Sequence, residues 1–146
     1  MGMFDFLKGV GASIFGGGKN EAQEIENLLK TDLGDRIKNL KVEFKDEVVT
    51  LYGQCDTYAT KEKAILLAGN IKGVAKVTDE YFTAPEPEEE TEFYTIKKGD
   101  SLSKIAKAYY GNAMKYPVIF EANREVIKDP DLIYPGQVLR IPKTAN

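Results

Sequence analysis

The run TAPEPEEET at residues 83–91 constrains this chain more than any other feature, because it cannot be part of a packed core. Its prolines remove backbone donors, and its dense like charge opposes collapse. From Val77 to Ile96 stand seven acids (Asp79, Glu80, Glu86, Glu88, Glu89, Glu90 and Glu92) with no Lys or Arg among them. A chain of 146 residues interrupted there must bury its apolar side chains in two small cores. Residues 85–92 therefore read as an acidic linker. These glutamates lack the ordered Asp/Asn/Gly spacing of a calcium loop. Residues 97–146 carry nine basic and five acidic side chains. That surplus is too small for a nucleic-acid surface, which would show clustered Lys/Arg and a domain pI above about 9.

Missing residue types exclude most chemistry. There is no histidine, which rules out Ser-His-Asp triads, Cys–His dyads and HExxH zinc sites. The single cysteine, Cys55, read as lying in a turn, allows no internal disulfide and suits a reducing cytoplasm. Without a Gly-rich phosphate loop either, no nucleophile–base constellation can be assembled, so the chain reads as non-enzymatic.

Residues 1–18 form an apolar leader. Asp5 and Lys8 interrupt any secretory h-region, the uncharged stretch is far short of the ~20 residues that span a bilayer, and Phe6 stands where a myristoylation signal calls for Ser or Thr. Met3, Phe6, Leu7, Val10 and Ile14 fall on one face of a short helix, expected to pack on the domain that follows. Gly16, Gly17 and Gly18 then break the pattern.

Residues 19–84 read in the order α-β-β-α-β. Asn20 and Gln23 suggest a capping box for a helix with Ile25, Leu28 and Leu29 inward. Leu40, Val42 and Phe44 alternate, Lys45, Asp46 and Glu47 turn the chain, and the β-prone run 48–52 closes a hairpin that Gly53 ends. Thr57 caps a second helix facing inward through Ala64, Leu67, Ala68 and Ile71, with stop signals at Asn70 and Gly73. A strand from Val74 to Phe82 follows. The segment VVTLYG at 48–53, then a helix, then NIKGVAKV at 70–77, resembles the BON domain. The resemblance implies a binding role, with motif residues that are structural.

Residues 93–142 read β-α-α-β. A strand from Phe93 leads through a turn to Asp100, which can cap a helix facing inward through Leu102, Ile105, Ala106 and Tyr109. Gly111 suits its left-handed stop. A second helix holds Tyr116, Ile119, Phe120 and Asn123, with Pro117 in its first turn. Pro135 and Gly136 occupy the centre of a type II turn that feeds the strand 138–141. YTIKKGDSLSKIA at 94–106, YGN at 110–112, IFEAN at 119–123 and IYPGQVLRIP at 133–142 resemble the LysM domain over its length. The resemblance implies a shallow groove for N-acetylglucosamine polymers such as peptidoglycan, with Gly99, Asp100, Ser101 and Leu102 facing Ile133, Tyr134, Pro135 and Gly136.

The whole arrangement, including Phe4, Phe6 and Lys8 of the leader, resembles a family of small bacterial cytoplasmic potassium-binding proteins. That implies K⁺ as ligand and a cytoplasmic monomer of α+β class with no transmembrane segment and no nucleic-acid partner. No side chain announces such a site. Potassium is held by neutral backbone carbonyls in channels, whereas carboxylate cages suit divalent ions. Free carbonyls concentrate at helix C-termini, where the dipole is also negative. The candidates are the backbone carbonyls of Leu7, Val10 and Ala12 in the leader and of Gly69, Ile71 and Val74 after the second BON helix. Peptidoglycan binding through LysM, and a membrane-peripheral stress protein using the leader, are the other readings.

Overall fold

The computed structural model describes residues 3–15 and 20–145. The glycine break at 16–18 lies outside them. The chain runs β1 (Met3–Asp5), α1 (Glu21–Leu33), β2 (Ile37–Lys45), β3 (Val48–Cys55), α2 (Tyr58–Gly69) and β4 (Lys76–Thr83), then β5 (Thr91–Thr95), α3 (Leu102–Tyr110), α4 (Tyr116–Ala122) and β6 (Val138–Pro142). This is an α+β architecture: the α-β-β-α-β order of a BON domain, then the β-α-α-β order of a LysM domain.

The first sheet has the order β1-β4-β3-β2. Between β2 and β3 the chain turns on Asp46 and Glu47, both at positive φ (53° and 67°), as a two-residue hairpin loop requires. Strands β3 and β4 are parallel, so the chain crosses over through α2 between them. The hairpin does not end at Gly53. Strand β3 continues to Cys55, and Gly53 sits within it at φ 140°, where a Cβ would lie 2.9 Å from the Lys38 carbonyl oxygen. Cys55 is thus a buried strand residue, and burial pushes its thiol up to about 12.

The leader is not a helix. Met3 to Asp5 pair antiparallel with β4, Met3 opposite Thr78 and Asp5 opposite Lys76, and the Asp5 and Lys76 side chains form an ion pair at 2.7 Å. The edge of β4 offers unpaired backbone groups, whereas Gly9 and Gly11 weaken any helix this short. Phe6 is buried, but Met3 and Leu7 are more than half exposed, so the periodic residues share no face.

Two apolar clusters result. The larger contains Ile25, Leu29, Val49, Leu51, Leu66, Ile71, Val77 and Phe82, and the smaller contains Leu102, Ile105, Ile119, Leu139 and Ile141. Val138 of β6 belongs to the larger one. Helix α1 starts after Asn20 without a side-chain cap, and Gln23 bonds Asn27 instead. Thr57 caps α2, with Thr60 N–H donating to its Oγ1 at 3.0 Å. Ser101, not Asp100, caps α3. Gly111 (φ 75°) ends that helix in the left-handed region.

Candidate functional site

After β1 the leader follows the segment that leaves the C-terminus of α2. Phe6 N–H donates to the Ala75 carbonyl (2.8 Å), Gly73 N–H to that of Lys8 (2.7 Å), Ala12 N–H to that of Asn70 (3.0 Å) and Lys72 N–H to that of Ala12 (2.9 Å). Two glycines permit this approach. At Gly11 (φ 114°) a Cβ would lie 2.0 Å from the Asn70 oxygen, and at Gly69 it would enter the Phe6 ring.

The docking changes the carbonyl inventory at the end of α2. In a continuing helix the Gly69 oxygen would accept from Gly73 or Lys72 N–H. Those donors go to Lys8 and Ala12 instead, which leaves Gly69 without a backbone donor among the described residues. The carbonyls of Val10 and Val74 likewise accept no backbone hydrogen bond among the described residues. Those of Leu7, Ala12 and Ile71 each accept one, from Val10, Lys72 and Val74, and retain a second lone pair. All six thus come from two adjoining segments. Among the described residues, no group of three or more Cys, Asp or Glu is arranged to hold a metal.

The LysM domain packs on this same place. The Asn70 side chain bonds both backbone groups of Val138, and the Tyr134 hydroxyl reaches toward the Asn70 carbonyl at 3.5 Å. Desolvation raises the Tyr134 phenol above its ordinary value. Beside them a cavity of about 180 Å³ is lined by Ala12, Leu28, Leu67, Asn70, Tyr134 and Gln137. Charge surrounds the contact. Glu125 pairs with Lys63 (2.9 Å) and Arg36 (3.2 Å), Lys128 with Asp32 (3.2 Å), and buried Arg140 with Glu62 (2.9 Å) and linker Glu89 (3.5 Å). Sequence reasoning missed both Asn70, taken only as a helix stop, and Arg140, taken only as a strand residue. Neither announces its partner locally.

Of the eight residues in the implied sugar groove, Gly99 and Pro135 are exposed, while Asp100, Ser101, Ile133 and Tyr134 are half-buried. Leu102 and Gly136 are buried. Leu102 is part of the domain core, so it does not line a groove. The Asp100 carboxylate accepts from Lys97 N–H and the Tyr94 hydroxyl. Burial alone would raise it, but these bonds and the Lys97 and Lys104 charges hold it below its ordinary value.

The chain matches the BON domain family over residues 20–81 and the LysM domain family over residues 94–142. It is 41% identical to the potassium binding protein Kbp of Escherichia coli over 150 aligned residues, 98% of this chain and 99% of that protein. A Deinococcus radiodurans protein is 61% identical over 49 residues, 34% of this chain and 19% of that protein. A Mycobacterium tuberculosis protein named an esterase is 48% identical over 48 residues, only 10% of its length. Among the described residues no helix is long and apolar enough to cross a membrane.

Proposed function

The chain belongs to the same family as the Escherichia coli potassium binding protein, and from that premise we propose that it is a non-enzymatic K⁺-binding protein of the cytoplasm. The ion sits between the leader and the end of α2, held by the backbone carbonyls of Leu7, Val10, Ala12, Gly69, Ile71 and Val74, with the LysM domain packed over it in a monomer. The observation that carries this reading is the Gly69 carbonyl, whose two onward helix donors are taken by the leader. A neutral oxygen set of this kind suits a weakly hydrated monovalent ion, and the negative end of the α2 dipole adds to it.

Thermal melts in KCl and NaCl at equal ionic strength test it. A ligand that binds only the folded state at ~100 Kd adds about 2.7 kcal/mol, so the KCl curve should lie clearly higher. Coincident curves reject the potassium reading.

A second reading, binding of N-acetylglucosamine polymers through LysM, is favoured by the exposure of Gly99 and Pro135 on the two facing loops. Pull-down on insoluble peptidoglycan tests that one. Membrane attachment through the leader is disfavoured, because Phe6 is already buried in the BON core.

A further inference from the structure

On the loop that would form one wall of the sugar groove, Gly136 is covered by the protein's own leader. Gly136 lies at φ 93°, and a Cβ built there would stand 2.7 Å from Val10 Cγ2 and 3.3 Å from Leu7 Cδ1. It is buried although its neighbour Pro135 is exposed. On the same loop the Tyr134 hydroxyl turns toward the Asn70 carbonyl, and the adjoining Val138 is held by the Asn70 side chain. On the opposite wall Gly99 is exposed and Asp100 and Ser101 are half-buried.

We propose that the leader is an intramolecular lid on the LysM loop 133–136, so that the docked leader excludes N-acetylglucosamine polymers and its release admits them. This rests on the glycan reading of LysM, and its ion dependence rests on the potassium reading. A polymer lying in a shallow groove must touch both walls, and Val10 and Leu7 occupy the space over Gly136 in one of them. The same two residues carry carbonyls assigned to K⁺. Ion binding and sugar binding therefore oppose one another, and by linkage each weakens the other by the same factor.

Calorimetric titration with a soluble N-acetylglucosamine oligomer tests this on three chains: the full protein, the protein lacking residues 1–13, and Val10→Asp, which keeps the leader but places a charge against Gly136. The full protein should bind about tenfold more weakly in KCl than in NaCl at equal ionic strength, a factor within the usual range of coupling between sites. Both variants should bind tightly and lose the difference between salts. Equal binding by all three overturns the lid and leaves the glycan reading standing. Binding by none overturns both. A preference for NaCl that survives removal of the leader also overturns the lid.

Discussion

The side chain of Asn70 grips the backbone of Val138 from both sides: its Oδ1 accepts from Val138 N–H at 2.9 Å, and its Nδ2 donates to the Val138 carbonyl at 2.9 Å. An amide side chain thus takes the place of a neighbouring strand. It fastens the last LysM strand to the residue that ends α2, one peptide from the Gly69 carbonyl. Docking of the LysM domain and the shape of the proposed ion site are therefore set by the same residue.

Asn70→Ala should weaken both. It leaves two backbone groups of Val138 without partners, each costing about 1–3 kcal/mol if it stays buried. The expected result is a lower melting temperature together with weaker K⁺ binding. Asn70→Asp retains the acceptor but loses the donor, and should also destabilise. A wild-type K⁺ titration in Asn70→Ala would separate the clamp from the site.

The two leader glycines should behave differently. Gly11→Ala places a methyl group 2.0 Å from the Asn70 oxygen at a φ of 114°, so the leader must move away. A Cβ at Gly9 meets nothing within 4 Å. Following K⁺ titrations by amide shifts, Gly11→Ala should lose tenfold or more in affinity, about 1.4 kcal/mol, while Gly9→Ala changes little.

Acid should loosen the contact between domains. Burial would raise the Glu125 carboxyl, but the Lys63 hydrogen bond and the Lys63 and Arg36 charges hold it below its ordinary value near 4.5. A carboxyl depressed in the folded state contributes stability that is complete above its unfolded pKa and is lost as pH falls through the lower folded one. Melting temperatures should therefore fall as pH drops below about 4.5, and Glu125→Gln should flatten part of that slope. Asp100 is also depressed and supplies a further part from within LysM. A slope unchanged by Glu125→Gln would place the acid sensitivity elsewhere.

What the sequence made legible is what local chemistry decides. Pro135 and Gly136 turn the chain, with Gln137 N–H donating to the Tyr134 carbonyl at 3.1 Å; Gly111, which has no Cβ, ends α3 at positive φ, and the Thr57 hydroxyl starts α2. Strand β1 was hidden because its pairing depends on the edge of β4, far along the chain, while its own spacing fits a helix equally well. The Asn70 clamp joins residues 68 positions apart, and no turn or periodicity encodes that contact. The carbonyl set is the extreme case. Every residue contributes the same C=O, so only the path of the backbone decides which oxygens are left for a ligand.

The linker acids supply the sharpest contrast with a carboxylate site. Glu89 reaches Arg140 at 3.5 Å, yet its side chain is half exposed, and Arg140 is independently held by Glu62 and the Ala122 carbonyl. Arg140 is buried but keeps Glu62 and the Ala122 carbonyl when Glu89 is lost, so this long pair to a half-exposed carboxylate contributes about 0–1 kcal/mol. Replacing Glu88, Glu89 and Glu90 together by Gln should therefore lower the melting temperature only slightly. It should leave K⁺ affinity unchanged, because exposed charges beyond a Debye length of about 8 Å are screened at physiological salt. Removing residues 1–13 should abolish ion binding outright, since it deletes three of the six carbonyls and returns the Lys72 and Gly73 donors to the end of α2. If the glutamine triple variant loses the ion and the leaderless chain keeps it, the ion is held by the linker and the carbonyl assignment falls.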